Sequence, residues 1–320
     1  MPLDAVIAAD RLTIKQLRIV CAIERHGSIR VAAESLHITQ PTATKALKEA
    51  ERTLGVTLFD RSNRGVEPTN YGLALCRRAS LIMAELRHVG EDIRELKEGR
   101  GGRIVVGTLL AASARLLPAA IARLRANRPG VTVSVVEGTN DLLLPSLRLG
   151  DLDLVVGRLP EYRGRAGTEQ ETLFEETTCM AVRPGHPLAG APSLNLADIM
   201  SYDLIVPPNE TTLRRQLDKA FHDAGLPLPP AAVESVSLLT NRRLTLETDS
   251  ISVWPYHVVR QDLIDGTLVR LPVSLDQTSR PVGFTLRAGY VPSPAAAAMI
   301  EALRIVGAEI RAEAPESKAH

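Results

Sequence analysis

The chain has 320 residues, of which 45% are hydrophobic and 23% charged, with 38 Lys and Arg against 37 Asp and Glu. This apolar content is too high for a disordered chain, and the formal net charge of +1 excludes a histone-like polycation and an acidic tail protein. The three cysteines, Cys21, Cys76 and Cys179, are too widely spaced to indicate a disulfide framework or a zinc site, so we expect free thiols, no metal and no cofactor.

The charge is unevenly distributed along the chain. Residues 11–90 carry 13 basic and 7 acidic side chains, a net charge of +6, which leaves −5 for the remainder. A basic segment joined to a mildly acidic one indicates that the first binds nucleic acid. Asp4, Asp10 and Arg11 interrupt the apolar run that a signal peptide needs, and no apolar run reaches the roughly 20 residues of a membrane span. We therefore expect a cytoplasmic protein with no membrane partner.

Two short helices are predicted in the basic segment. Ser28 can cap the first, and Thr39 can cap the second, whose first turn contains Pro41. On a helical wheel of residues 41–54, an apolar face opposes a cationic, hydroxylated one; the first holds Ala43, Leu47, Ala50 and Leu54, and the second Pro41, Lys45, Lys48 and Arg52, flanked by Thr44. This arrangement predicts a helix-turn-helix, with a helical hairpin that exposes a solvated lysine face as the alternative.

An extended hairpin is predicted after the second helix. Leu58 and Phe59 precede a polar turn over residues 60–65, and Val66 and Pro68 follow it. The pattern is typical of a wing, on which Arg61 and Arg64 project towards phosphates or a minor groove.

A long helix is predicted over residues 70–98, capped by Thr69 or Asn70 and ended by glycines at 99, 101 and 102. Its apolar positions alternate in steps of four and three residues: Leu75, Ala79, Ile82, Leu86, Val89, Ile93 and Leu96. This heptad seam favours a coiled coil with a second copy of the chain, and an amphipathic helix lying on its own domain is the alternative. A two-fold dimer matches two half-sites on DNA.

Strands and helices alternate after the glycines. Strands are predicted at 104–107, 131–136 and 153–157, and helices at 112–127 and 141–149, an order that indicates βαβ units and a parallel sheet. Trp254, the only tryptophan, is expected in a core or at a hinge, with stacking on a ligand as the alternative.

Three turns in this region place hydroxyls and backbone N–H groups before helices. They are residues 107–109, 138–140 and 206–209. Such turns suit a carboxylate or a sugar hydroxyl. For Thr108 and Thr139, the alternative to ligand binding is a role as helix N-cap. We expect the two roles equally, and one threonine can fill both.

Residues 27–72 read GSIRVAAESLHITQPTATKALKEAERTLGVTLFDRSNRGVEPTNYG. This stretch resembles the DNA-binding domain of LysR-type transcriptional regulators in its Gly-Ser opening, Ala-Ala pair, Leu-His before a hydroxyl-Gln-Pro triplet, Leu-Phe-x-Arg and Thr-x-x-Gly. The resemblance continues to about Gly307. It implies a winged helix-turn-helix over 1–69, a linker and dimerisation helix over 70–100, and over 101–320 a periplasmic-binding-protein-like (type II) α/β effector domain of two subdomains.

The resemblance also implies which residues meet ligands. The recognition helix would contact the major groove through Gln40, Pro41, Thr42, Thr44, Lys45 and Lys48, with Arg30 and Arg52 on phosphates and Arg61 and Arg64 on the wing. A small inducer would bind between the two subdomains, at Thr108, Leu109, Thr139 and Asn140, with Pro208, Ser237 and Leu238 at the rim.

By resemblance, the function is that of a ligand-responsive regulator, an activator or a repressor. It would bind an inverted repeat in double-stranded promoter DNA as a homodimer or homotetramer and act on RNA polymerase. The inducer would be a carboxylate or a sugar, which suit the turns before the helices. Within the family, the chain looks most like the branch that regulates sugar uptake and aromatic-acid catabolism. The alternative is a solute-binding protein or an enzyme without a DNA role. The sequence has no GxSxG or Walker A motif, so we expect no catalytic residue.

Overall fold

The computed structural model describes residues 10–62, 65–98, 101–160, 166–229, 231–275 and 278–313. They form two compact units: the first ends at Ile93 and includes Leu149–Asp151, and the second holds the rest. No helix within the described ranges is long and apolar enough to cross a membrane.

The first unit begins with three helices, α1 (Ile14–His26), α2 (Ile29–Ser35) and α3 (Gln40–Leu54). Ser28 caps α2 as predicted, because its side chain accepts a hydrogen bond from the backbone N–H of Val31. Thr39 occupies the N-cap position of α3, but its hydroxyl bonds to that of Thr42 at 2.8 Å and not to a backbone N–H. Small and branched apolar side chains from all three helices form a common core.

The predicted wing is a two-stranded antiparallel hairpin, β1 (Phe59–Ser62) and β2 (Gly65–Pro68). Hydrogen bonds join β2 and the residue before β1 to the helical region. The carboxylate of Glu51 on α3 accepts the backbone N–H of Leu58 at 2.9 Å, and the carbonyl of Gly27 accepts the N–H of Val66 at 3.0 Å. These bonds fix the hairpin against the end of α3 and the turn between α1 and α2.

The long helix α4 (Asn70–Glu98) has the predicted bounds, and the Thr69 hydroxyl accepts the N–H of Gly72 at its start. The heptad seam is divided into two parts. Leu75 packs against the helical core and Ala79 is fully buried, which matches the alternative of a helix lying on its own domain. The next four positions, Ile82, Leu86, Val89 and Ile93, are 39% to 52% exposed. The side chain of Leu96 lies outside the described residues.

The second unit contains two five-stranded sheets with helices around them. In chain order its elements are β3 (Gly102–Thr108), α5 (Leu110–Ser113), α6 (Leu116–Asn127), β4 (Val131–Glu137), α7 (Asn140–Leu149), β5 (Leu154–Arg158), β6 (Thr168–Glu176), β7 (Thr178–Val182), β8 (Leu204–Val206), α8 (Thr212–Asp223), β9 (Ala231–Glu234), α9 (Leu238–Glu247), β10 (Ile251–Pro255), α10 (Tyr256–Ile264), β11 (Val269–Arg270), β12 (Arg280–Arg287) and α11 (Pro294–Ala312).

The sheet of the first half has the strand order β4-β3-β5-β12-β6, and that of the second half has β11-β7-β10-β8-β9. The prediction of a parallel sheet is right for β4, β3 and β5. β12, which lies outside the segments for which strands were predicted, joins the same sheet antiparallel to both β5 and β6. β6 runs into β7 of the other sheet within two residues, and β12 returns from that sheet, so these strands connect the halves and do not belong to βαβ units.

The predicted helix over 112–127 is two helices, α5 and α6, separated at Ala114 and Arg115. Pro118 explains the break. A proline inside a continuous helix removes a backbone hydrogen bond and clashes with the preceding turn, whereas the restart at Leu116 places Pro118 in the first turn of α6, where no bond is lost.

Trp254 lies in the core of the second half. It is fully buried on β10 and packs in a cluster that includes Cys179 and Val258, so the core interpretation is confirmed. Cys179 and Cys76 are buried free thiols, and burial raises the pKa of each to about 12. A thiol with such a pKa carries almost no thiolate, the nucleophilic form, at neutral pH.

Gly283 supports a bulge where β12 pairs with β6, because the register shifts between Val282 and Gly283. A Cβ at this position would overlap the backbone carbonyl of Glu171. We expect Gly283→Ala to lower the free energy of unfolding by roughly 1–3 kcal/mol or more. Gly190→Ala is the matched control, since a Cβ there meets no atom within 4 Å. Urea denaturation followed by circular dichroism measures the stability of both variants. If Gly283→Ala unfolds at the same urea concentration as Gly190→Ala and the wild type, the expected clash with Glu171 has no effect on stability.

Candidate nucleic-acid interface and effector cavity

The orientation of α3 is set by its apolar face. Ala43, Ala46, Leu47 and Ala50 are buried against the other helices of the first unit. Three alanines permit a close approach between helix backbones. The opposite side is consequently turned to solvent, as the wheel predicts.

The outer face of α3 forms a shallow groove. It brings together six of the residues predicted to meet DNA, which are Gln40, Pro41, Thr44, Lys45, Lys48 and Arg52. Glu49 also lines this groove and was missed by the sequence reasoning, although it follows Lys45 by one helical turn. Its carboxylate lies 4.0 Å from the Lys45 ammonium, a weak solvent-exposed pair. The groove therefore presents cationic donors and neutral polar groups together with one carboxylate.

The remaining residues of the predicted DNA interface lie elsewhere. Thr42 is half-buried, and its hydroxyl is bonded to Thr39. Arg30 is exposed on α2, where it forms an ion pair with Glu34 at 2.6 Å. Arg61 pairs with Val66 across the wing, but its side chain lies outside the described residues, as does the whole of Arg64.

A cavity of about 790 Å³ lies in the second unit, lined by residues from both halves. This volume is within the roughly 300–1,000 Å³ of small-ligand sites. The first half contributes the turns after β3 and β4, and the second half contributes the segment before α8 together with its first turn. The cavity can therefore hold a small organic molecule in contact with both halves.

Three of the residues predicted to bind the inducer, Leu109, Thr139 and Asn140, line this cavity. Thr108 is only 2% exposed, and its hydroxyl donates to the carbonyl of Leu109, so it is not part of the lining. The placement of Thr108 at the cavity surface is thus corrected.

None of the three predicted rim residues lines the cavity. Pro207 and Val236 line the cavity, whereas Pro208, Ser237 and Leu238 do not. Pro208 and Ser237 each directly follow a lining residue, and successive side chains of extended backbone point in opposite directions. Leu238 is the first residue of α9. Ser237 instead caps α9 by accepting the N–H of Thr240.

Arg158 is a lining residue that the sequence reasoning missed. It ends β5, is 5% exposed, and donates through Nη1 to Gln216 and through Nη2 to Thr178, each at 2.9 Å. Its Nε has no hydrogen-bond partner among the described residues. Burial lowers the pKa of Arg158 to about 10, so the guanidinium is charged at neutral pH. The sequence feature that could have identified Arg158 is its position at the carboxyl end of a predicted parallel strand, because α/β sheets bind ligands at that edge.

Glu176, at the end of β6, is a buried carboxyl group in the same half. Its Oε1 accepts the backbone N–H of His257 at 2.9 Å, and its Oε2 has no partner among the described residues. Burial raises the pKa of Glu176 to about 7, even though Arg158 opposes the shift. Burial and the nearby Arg115 lower the pKa of His257 to about 4. Both groups thus favour their neutral forms in the folded protein.

Comparison with known proteins assigns the chain to a family. Residues 14–73 match the bacterial regulatory helix-turn-helix domain of the lysR family, and residues 97–308 match the LysR substrate binding domain. The HTH-type transcriptional regulator PcaQ of Agrobacterium fabrum is 35% identical over 302 residues, which cover 94% of this chain and 97% of that protein. The chain belongs to the LysR family of transcriptional regulators.

Two further proteins support this assignment. The HTH-type transcriptional regulator GbpR of Azospirillum brasilense is 31% identical, with 92% of this LysR chain and 86% of GbpR covered. A full-length OxyR variant from Pseudomonas aeruginosa has a similar structure, with a TM-score of 0.68, 25% identity and coverage of 92% of this chain and 95% of that one. The predicted family and fold class are confirmed. This LysR protein is a ligand-responsive DNA-binding transcriptional regulator and not an enzyme.

Glu176→Gln is expected to change the dependence of stability on pH. The native carboxyl holds its proton up to about pH 7, whereas the unfolded chain releases it near 4.5. Raising the pH through this window therefore lowers the free energy of unfolding of the wild type, by at most about 1.4 kcal/mol per pH unit. The glutamine variant lacks this loss, and the His257 contribution is common to both proteins.

Urea denaturation between pH 5 and 8, followed by Trp254 fluorescence, measures this effect. The stability difference between variant and wild type should grow up to about pH 7 and stay constant above it. Glu175→Gln, at the exposed neighbouring position, should leave the wild-type profile unchanged. Parallel profiles for Glu176→Gln and the wild type would contradict the assignment.

Proposed function

We propose that the outer face of α3 reads base edges in the major groove of promoter DNA. The observation that carries this proposal is the groove of polar and cationic side chains on a helix whose other face is buried. Gln40 has the two-sided amide that pairs with adenine, and Lys45 and Lys48 reach guanine or phosphate. Arg30, Arg52 and the wing residues Arg61 and Arg64 act on the sugar–phosphate backbone.

We propose that the exposed part of the α4 seam pairs two copies of the chain. Ile82, Leu86, Val89 and Ile93 form an apolar stripe, and each leaves between 39% and 52% of its surface in solvent. A stripe of heptad spacing is covered when a second helix packs against it. The resulting dimer, or a tetramer of two such dimers, presents paired recognition helices to an inverted repeat.

We propose that a small inducer, a carboxylate or a sugar, occupies the cavity of the second unit. Leu109, Thr139 and Asn140 from the first half face Pro207 and Thr211 from the second, so one molecule contacts both. An inducer that binds one arrangement of the halves more tightly shifts the protein towards it. In the cytoplasm this shift would change how the bound regulator acts on RNA polymerase.

Lys45→Ala tests the DNA interface. We expect weaker binding in a gel-shift titration with the intergenic DNA beside the protein's own gene, because one phosphate or base contact is lost. If Lys45 contacts a phosphate, the slope of log affinity against log salt falls by about one unit. If this salt dependence is unchanged but the preference among DNA sequences changes, Lys45 contacts a base and not a phosphate.

Lys219→Ala is the matched control, since Lys219 is an exposed lysine on α8 in the second unit. It should leave both the affinity and the salt slope at wild-type values. Absence of any shift by the wild-type protein at low salt would overturn the DNA-binding proposal.

Leu86→Lys tests the seam. A lysine at this position places two charges against each other across the paired helices, so light scattering should show half the wild-type mass per particle. Leu73→Lys is the control, because Leu73 is also exposed, at 47%, but lies on the opposite side of α4. A Leu86→Lys protein that keeps the wild-type mass on dilution rules out pairing through this stripe.

A further inference from the structure

The outer face of α3 carries a carboxylate among its cationic and neutral polar groups. Glu49 lines the shallow groove together with Lys45, Lys48 and Arg52, and it is the one acidic residue in the described lining. Its side chain is 40% exposed, half as much as the 80% of Lys45, so the carboxylate is more enclosed by its neighbours than the ammonium. A negatively charged acceptor therefore has a defined place on a face that is rich in donors.

The Glu49 carboxylate has hydrogen-bonding capacity that the fold does not use. Within the described ranges its nearest charged partner is the Lys45 ammonium, at 4.0 Å, which is beyond hydrogen-bond distance. Two other acids of the same unit form structural bonds. The carboxylate of Glu51 accepts the N–H of the residue before β1 at 2.9 Å, and that of Glu34 accepts a hydrogen bond at 2.6 Å from an arginine one turn earlier in α2. Glu49 is thus available to a molecule that enters the groove.

Helix stability does not account for an acid at this position. A lysine and a glutamate four residues apart stabilise a helix less when the lysine comes first, which is the order of Lys45 and Glu49. A carboxylate that faces DNA also repels phosphates and weakens binding to every duplex. This repulsion is offset only on sequences where a hydrogen-bond donor of the DNA meets the carboxylate.

The donors that a protein meets in the major groove are the amino groups of cytosine and adenine. A carboxylate accepts hydrogen bonds and donates none, so it pairs with N4 of cytosine and is repelled by the O6 and N7 acceptors of guanine. Within one base pair, N4 of cytosine lies next to O6 of guanine, because the two are hydrogen-bonded to each other. The adjacent carboxylate and ammonium of Glu49 and Lys45 match this adjacent donor and acceptor.

Building on the DNA-reading function proposed for the outer face of α3, we propose that Glu49 is a specificity-determining residue. Its carboxylate accepts a hydrogen bond from the amino group of one cytosine in each half-site of the operator. If Lys45 contacts a base, it meets the guanine of the same pair. Glu49 contributes discrimination between sequences, and its removal strengthens binding to unrelated DNA.

The experiment selects bound sequences from a pool of random DNA duplexes with the full-length protein and compares the wild type with Glu49→Ala. The wild type should select cytosine at one position of each half-site, and the alanine variant should select no particular base there. In a gel shift, exchange of this base pair for another should weaken wild-type binding about fivefold or more, the usual range for one mismatched pair. Glu49→Ala should bind the two duplexes equally.

Glu49→Gln tests the chemistry of the contact. A glutamine keeps one oxygen acceptor and adds an amide donor, the combination that pairs with N6 and N7 of adenine. The preferred base at this position should therefore change from cytosine to adenine. Alanine and glutamine both favour helices, so both variants should keep the wild-type circular dichroism spectrum.

Glu24→Gln is the control for a general effect of charge. Glu24 is an exposed acid on α1 that does not line the groove, and its substitution changes the net charge as Glu49→Gln does. This variant should select the same sequences as the wild type. Selection of new sequences by Glu24→Gln as well as Glu49→Gln would overturn the assignment to Glu49.

A double substitution separates base reading from an indirect effect through Lys45. If Glu49 only orients the Lys45 ammonium, Glu49→Ala changes nothing further in a Lys45→Ala protein. The proposal instead expects Lys45→Ala alone to retain a preference for cytosine and the double variant to lose it. Identical selection by the single and the double variant would assign Glu49 to a positioning role and overturn the base contact.

The remaining outcomes separate this proposal from the DNA-binding function. If Glu49→Ala keeps the wild-type base preferences, or loses a preference for a base other than cytosine, the role of Glu49 is overturned and the groove on α3 remains the DNA interface. If the wild-type protein selects no sequence and shifts no duplex at low salt, both proposals are overturned.

Discussion

The close packing of the alanine-rich face of α3 is the constraint on which the DNA-facing end depends. Ala43, Ala46 and Ala50 allow the helix backbone to approach its neighbours, and any larger side chain there would push α3 outwards. Glu51 then fixes the start of the wing through the N–H of Leu58. The positions of the cationic side chains therefore follow from residues on the packed side of α3 and at its end.

Local signals explain why the N-terminal region was predictable. Ser28, the wheel of α3 and the bounds of α4 were read correctly, because caps and 3.6-residue periodicity depend on neighbours in sequence. The sequence did not predict that the heptad seam of α4 divides into a buried part and an exposed part. Leu75 and Leu86 both belong to the heptad seam, yet one packs on its own domain and the other is exposed, and only the tertiary fold distinguishes them.

The cavity was predicted in part for a similar reason. The turns after β3 and β4 were identified from glycines and hydroxyls, which are local features. Arg158 was not identified, because a charged residue is ordinarily exposed and its burial arises from β7 and α8, far along the chain. The antiparallel strands β6 and β12 were missed because their role as connections between the sheets is a property of the whole topology.

Arg158 belongs to the first half of the effector domain by sequence and is tied to the second by hydrogen bonds. Thermodynamic linkage makes coupling through such a contact reciprocal: a ligand that binds one arrangement of the halves more tightly favours that arrangement, and holding the halves in it raises the affinity for the ligand by the same factor. An inducer in the proposed cavity would therefore bind with an affinity that depends on whatever else holds the two halves in place.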